Sequence, residues 1–221
     1  MKKIAIYGAG GFGREVACLL NKINEVKLTW ELIGFFDDGL AIGTEVSHFG
    51  NVLGGINELN AWSSKLSIAI TIGNPKIVRS IVSKIFNQNV DFPNIIAPTV
   101  YFSDPETFNI GRGNIIQKHC SFSCDVTIGD FNVMDGADVF GHDDVVGSYN
   151  TFMPAMRISG EVNIGDCNFF GVGSIILQKI KIGNNVRLGA GSVLMRKPKD
   201  GILYMGCLLY TSPSPRDGLL S

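Results

Sequence analysis

The sequence is short of histidine, has no surplus of basic charge and contains no long apolar run. Nineteen Lys and Arg stand against twenty Asp and Glu in 221 residues, a formal charge of −1. That balance offers no basic surface to nucleic acid or to an anionic membrane. No apolar stretch approaches the ~20 residues that would cross a bilayer, so no membrane insertion is expected. The five cysteines (Cys18, Cys120, Cys124, Cys167 and Cys207) are odd in number and lack CxxC spacing. No secretory signal precedes them, and free thiols in a reducing cytoplasm are expected. Cys120 and Cys124 have no His or second Cys pair to complete a metal site, so no metal is expected. The three histidines, His48, His119 and His142, leave few candidates for a proton-transferring base.

What the sequence has is a period of six. Ile110, Ile116, Phe122, Ile128, Met134, Phe140, Val146, Phe152, Ile158, Ile164, Phe170, Ile176, Ile182, Leu188 and Leu194 form one unbroken register. Six matches neither the helical period of 3.6 nor the strand period of 2. It matches a hexapeptide repeat, in which each unit makes a short strand and a turn and sends one large side chain inward. Gly111, Gly129, Gly147, Gly165 and Gly183 recur every 18 residues, so three units make one coil of a triangular parallel β-helix. Left-handed backbone angles are the expected reason for glycine at that corner. The register stops at Leu194; the next counts fall on Asp200, Gly206 and Ser212, so an irregular segment is expected from there to Gly206.

The first hundred residues are of another class. Short apolar runs at Lys3–Tyr7, Leu32–Phe36 and Ile68–Ile72 alternate with helix-like segments at Arg14–Leu20 and Lys76–Phe86. This alternation predicts βαβ units and a small parallel sheet, with ligands beyond the carboxyl ends of the strands. Three motifs fall at those ends: Gly8-x-Gly10-x-x-Gly13, the pair Asp37-Asp38, and Gly73-Asn74. The glycines would let backbone N–H groups approach a phosphate at a helix N-terminus, and Asp37 lies near where a ribose-binding acid would fall. A tight strand-to-helix turn without a ligand also fits the spacing. Only three strand signals precede the prism, too few for the two halves of a dinucleotide-binding domain.

A domain opening in YGAGGFGREV, followed by FDD and IGN and then by a hexapeptide prism with a His-Asp pair, resembles the sialic acid O-acetyltransferase family. That family includes the bacterial N-acetyltransferases of UDP-4-amino sugars. The resemblance covers residues 1–206 and divides them into a Rossmann-like sugar-nucleotide-binding domain (1–97) and a left-handed β-helix acyltransferase domain (98–206). It implies a cytoplasmic homotrimer that moves acetyl from acetyl-CoA to an amine or hydroxyl of a sugar or nucleotide sugar, in a surface-glycan or sialic acid pathway, with sites between neighbouring prisms. By the same resemblance His142 is the general base and Asp143 its partner. Gly160, one coil above His142, and Ala190 contact the CoA arm, while Gly8, Gly10, Gly13, Asp37, Asp38, Gly73 and Asn74 hold the substrate. Small corner residues and a solvated His-Asp turn are the plainer readings of the prism positions.

Two features depart from the family pattern. Many members carry a second histidine in the unit after the catalytic pair, where this chain reads Thr151–Met156, and a histidine in the first glycine loop, where it has Phe12. Beyond Gly206, the string Cys207–Ser221 reads as the translation of a sequencing-library adapter, so the family's terminal segment beside the cofactor is expected to be missing. A NAD(P)-binding oxidoreductase or sensor trimerised by its prism, and a purely structural prism, are the competing readings of the whole chain.

Overall fold

The computed structural model describes residues 1–206; the expectations for Cys207–Ser221 lie outside them. The amino-terminal domain runs β1 (Lys2–Tyr7), α1 (Gly11–Val26), β2 (Trp30–Phe36), β3 (Val52–Gly54), α2 (Ile56–Asn60), β4 (Leu66–Ile70), α3 (Pro75–Lys84) and β5 (Val90–Asp91). Its sheet is parallel, in the order β3-β2-β1-β4-β5. Two short strands, β3 and β5, and the helix α2 lack the apolar runs that marked the other elements. Strand alternation explains the packing. Ile4 and Ile6 point to Val16, Ala17 and Leu20 of α1, while Ala5 and Tyr7 point to the opposite layer with Val78 and Ile81 of α3. Ile95, Ala97 and Ile115 of the prism share the first cluster and Phe131 the second, so the domain sits directly on the prism.

The prism is the left-handed β-helix expected, built from two-residue strands in parallel sheets of six, five and seven. From Ile110 to Ile176 every inward residue pairs with the one 18 positions on, as Phe122 does with Phe140 and Phe140 with Ile158. All fifteen except the half-buried Ile110 are buried. Phenylalanines stack through the core, Phe122 on Phe140 and Phe152 on Phe170, each pair with centroids 4.9 Å apart. Each such side chain removed from water is worth about 1.5–3 kcal/mol. The first strand of the prism is Ile95–Ile96.

The glycine corner works differently from the expectation. The left-handed angle falls on the third residue after each inward one, at Asp125, Phe131, Ala137, Asp143 and Tyr149 among others, and few of these are glycines. Each gains a compensating bond to another coil, as when Asp143 N–H donates to Cys124 O at 3.1 Å. The column Gly111 to Gly183 is not left-handed; it is glycine because the coils approach too closely for a Cβ. At Gly129 a Cβ would lie 2.6 Å from Gly147 O and 2.7 Å from Ser148 Oγ. The same corner carries the fully buried Asn114, Asn132, Asn150 and Asn168. Each Oδ1 accepts the N–H 18 residues on, and each Nδ2 donates to the glycine carbonyl 15 residues on, as from Asn132 to Gly147 O at 2.9 Å.

The segment after Leu194 corrects a second expectation. Leu203–Tyr204 forms another strand on Arg187–Leu188, with Tyr204 paired to Leu188. That pairing spans 16 residues rather than 18, so a count in sixes passes over Tyr204 and lands on Gly206.

On the other two corners the position equivalent to the asparagines holds buried Cys, Val, Met, Ile and Ser, and twice an acid: Asp138 and Asp144, both fully buried. Each spends Oδ1 on a backbone N–H of the next coil at 2.9 Å, from Met156 and Val162 respectively. Neither Oδ2 has a partner. Burial pushes the Asp138 acid up to about 8.

Gly129→Ala should therefore cost about 1–3 kcal/mol, as overpacking does, and lower the denaturation midpoint. An unchanged midpoint would mean that the corner can widen. Asp138 makes a second measurable contribution. Its folded pKa of about 8 lies above the ~3.9 of an unfolded aspartate. Its protonation therefore supports the fold fully below about pH 4, and the support is lost as pH rises towards about 8. Asp138→Asn, which cannot ionise, should lose less melting temperature than the parent between about pH 5 and about pH 8.

Candidate active site

His142 and Asp143 occupy the turn after the strand Val139–Phe140, on the corner joining the six- and five-stranded sheets. The left-handed Asp143 (φ 58°) turns its carboxylate back along the imidazole edge. His142 Nδ1 lies 2.7 Å from Asp143 Oδ2, with both side chains about half exposed. The hydrogen bond to Asp143, reinforced by the charges of Asp143 and Glu161, raises the His142 pKa above the usual 6.5. With Nδ1–H donating to the carboxylate, Nε2 is the nitrogen left to take a proton.

Gly160 faces the ring from the next coil. A Cβ there would lie 2.5 Å from His142 Nε2 and 2.7 Å from Cε1, so no larger residue could hold this position with the ring in place. The equivalent N–H groups of the glycine corner are taken by side chains, Asp130 N–H by Ser148 Oγ and Ser148 N–H by Asp166 Oδ1. The Gly160 N–H has no such bond among the described residues. A base and a free backbone donor therefore lie side by side.

Ala190 belongs to a different corner, the one joining the seven- and six-stranded sheets. It lines a groove of about 360 Å³ with Met153, Phe169, Val172, Arg187, Leu203 and Met205. Gly171 packs under it, where a Cβ would lie 2.5 Å from Ala190 N. Within one chain His142 and Gly160 meet, and Ala190 stands across the six-stranded face from them. Further along the edge of Ala190 is a cleft of about 760 Å³ between α1 and the prism, lined in part by Glu15, Cys18, Gln117, His119 and Asp135. Burial and the charge of Glu15 raise the Asp135 acid to about 6. Sequence reasoning missed this cleft, since only packing of the two domains creates it.

The amino-terminal motifs follow three neighbouring strands, β1, β2 and β4. The β1/β4 boundary is where the strand order reverses, the crevice in which such sheets take ligands. Gly8 (φ 111°) and Gly13 serve packing: a Cβ on Gly8 would meet Thr71 Oγ1 at 2.8 Å, and one on Gly13 would strike Gly8 O. Gly10 and Gly73 are open, with nothing near a Cβ. Gly10 begins α1 without a side-chain cap, so first-turn N–H groups remain available to an anion. Asp37 accepts Ala9 N–H at 2.9 Å and Gly39 N–H at 2.8 Å; Asp38 accepts the Tyr7 hydroxyl at 2.5 Å and Ile56 N–H at 2.8 Å. Asn74 caps α3 through Lys76 N–H at 3.1 Å. Thr71, which the sequence did not single out, ties this end together by donating to Tyr7 O and Gly8 O.

The family model of the PglD N-terminal domain matches residues 3–85. That match lies within the amino-terminal domain and does not reach the prism. The acetyltransferase domain of PglB from Neisseria gonorrhoeae FA1090, solved in complex with acetyl coenzyme A, is similar over 93% of this chain and 96% of its own, with TM-score 0.83 and 26% identity. WeeI from Acinetobacter baumannii AYE is similar over 93% and 97%, with TM-score 0.82 and 26% identity. PerB from Caulobacter crescentus, in complex with CoA and GDP-perosamine, shares the fold at TM-score 0.81 and 23% identity over 93% and 95%. Among curated protein sequences nothing matches significantly. No helix among the described residues is long and apolar enough to cross a membrane, and no cluster there of three or more His, Cys, Asp or Glu could hold a metal ion.

The raised His142 pKa fixes the sign of one test. If His142 serves as a general base it must be neutral, so activity should climb with pH through an inflection above the usual 6.5. Asp143→Asn removes the largest cause of the shift and should move that inflection down towards the usual value while slowing turnover. A pH–rate profile that keeps its inflection in the variant would separate Asp143 from the imidazole's titration.

Proposed function

We propose that this chain is an acetyl-CoA-dependent acetyltransferase acting on an amine or hydroxyl of a sugar or nucleotide sugar. The observation that carries the reading is His142, bonded to Asp143 through Nδ1 and with its other nitrogen packed against Gly160, whose N–H has no partner among the described residues. Transfer needs those two groups together: a base to take the proton from the attacking amine or hydroxyl, and a donor to the thioester oxygen as charge develops on it. Acetyl-CoA supplies the activated acyl group. The free N–H of Gly160 and the groove beside Ala190 would hold its pantetheine arm. The open glycines at Gly10 and Gly73, with the uncapped start of α1, suit the phosphates of a nucleotide sugar. Gly8, Gly13, Asp37, Asp38 and Asn74 act mainly by shaping that loop.

A homotrimer in the cytoplasm, with acceptor and cofactor bound between neighbouring prisms, completes the proposal. The separation of Ala190 from the His142 corner within one chain fits a cofactor shared between copies. The oxidoreductase reading gains nothing from the structure: both oxygens of Asp37 already hold backbone N–H groups, and the sheet has five strands rather than two mononucleotide-binding halves.

Incubating the chain with acetyl-CoA and panels of amino sugars, sialic acids and their nucleotides should release free CoA thiol with a subset of acceptors. His142→Ala should reduce kcat by roughly 10²- to 10⁴-fold, the usual contribution of a general base. Full activity in that variant would overturn the mechanism.

A further inference from the structure

Asp144 follows the His142–Asp143 pair, but it turns into the prism instead of out of it. Its carboxyl is fully buried, and only half of it is accounted for: Oδ1 accepts Val162 N–H at 2.9 Å, while Oδ2 has no partner. The asparagine corner shows what the second atom of such a side chain meets. There Nδ2 always donates to the carbonyl 15 residues on, at 2.9 Å for Asn114, Asn132 and Asn150 and 3.0 Å for Asn168. Ser174, at the same position of another corner, donates to the carbonyl 15 residues on at 3.0 Å. Asp144 makes the same Oδ1 bond in the same register, so its Oδ2 takes the place of the amide nitrogen. The carbonyl 15 residues on is that of Ser159.

Two oxygens without a hydrogen between them repel; one proton converts the contact into a hydrogen bond. The Ser159 carbonyl is one end of the peptide whose other end is the Gly160 N–H. We propose that Asp144 is held protonated and donates from Oδ2 to Ser159 O, making it a positioning residue that fixes and polarises the Ser159–Gly160 peptide. The N–H at the far end is then aimed at the thioester oxygen before charge develops there. This role rests on the acetyl-transfer reading above.

The surrounding groups support it. Burial raises the Asp144 acid to about 7, partly offset by the N–H groups of Val162 and Gly141 and by the charge of His142, while Asp143 raises it further. On its own turn Asp144 faces His142 and Asp143; Cys124 and Asp125 lie on the turn below, and Glu161 on the turn above. An imidazolium on His142 would favour the ionised carboxyl, so neutral His142 and protonated Asp144 belong to the same state, the one transfer requires. Asp138 is an internal comparison one corner away. It has the same buried carboxyl and the same unpartnered Oδ2, but the carbonyl 15 residues on is that of Met153, and the next residue is Pro154, which has no N–H to aim.

The test uses the full chain, acetyl-CoA and the sugar it accepts. Asp144→Val installs the residue already present below and above it in the column, at Val126 and Val162, and removes the donor. It should lower kcat by about tenfold without raising KM for the sugar, a fraction of the roughly 10²- to 10³-fold loss when an oxyanion donor is deleted. Asp144→Asn keeps a donor at every pH; it should retain kcat and lose the alkaline fall in rate that ionisation of Asp144 gives the parent. Infrared spectra at about pH 6 should show protonated-carboxyl absorption that Asp144→Asn diminishes and Asp138→Asn diminishes separately, the latter with kcat unchanged. Parental kcat in Asp144→Val, or a carboxyl band untouched by Asp144→Asn, would overturn the proposal. The infrared arm stands without turnover: a chain that acetylates no sugar but shows the band overturns the acetyl-transfer reading and leaves the proton on Asp144 intact.

Discussion

The close stacking of coils at the glycine–asparagine corner is the constraint on which the rest of the structure depends. Without a Cβ at Gly129 or Gly147, each coil descends until a glycine carbonyl meets an asparagine amide 15 residues earlier in the chain. The same asparagines accept an N–H from that next coil, so one buried side chain answers both a carbonyl and an N–H of the coil stacked on it. Hydrogen bonds of this kind contribute about 1 kcal/mol each, but leaving one unmade inside the prism would cost about 1–3 kcal/mol. The corner therefore sets the register. The inward apolar side chains, phenylalanines and isoleucines among them, supply burial energy that is not directional.

The proposed function uses the departures from that corner. Where the next turn carries side chains that accept the second N–H of each turn, the wall is closed; where it carries His142 and Gly160, that N–H is free and a base lies against it. An exposed imidazole would be an indifferent base by itself. Its neighbour in the chain, held in a left-handed turn, fixes which nitrogen keeps the proton. The turn geometry that every coil needs for closure thus also orients His142 and Asp143, the pair proposed above as the base and its partner. The amino-terminal domain is arranged in a similar way: Asp37 and Asp38 are spent on holding the glycine loop and the start of α2, while Gly10 and Gly73 stay open.

Much of this was legible in the residues. The apolar period placed every inward side chain from Ile110 to Leu194, and the 18-residue spacing put Gly160 over His142, because periodicity alone determines both. The purpose of the glycine column was misread, since close approach and left-handed angles both call for glycine and only coordinates tell them apart. The strand at Leu203–Tyr204 was missed because its coil is two residues short, which breaks the count without breaking the pairing. Nor did spacing reveal the orphaned oxygens of Asp138 and Asp144: an acid written into a hexad looks like any polar turn residue until its burial is known.

The 18-residue register also quantises where a site can stand. Adding or deleting three whole hexads would slide the His142 turn along the axis by ~4.8 Å with no change of heading, as one more rung does on a ladder. A single hexad would instead swing it by a third of a revolution onto another face. The distance between the amino-terminal domain and the His142 turn can thus change only in rungs. Length polymorphism in such a prism is a gear with three teeth, and only every third step leaves the His142 edge facing the same way.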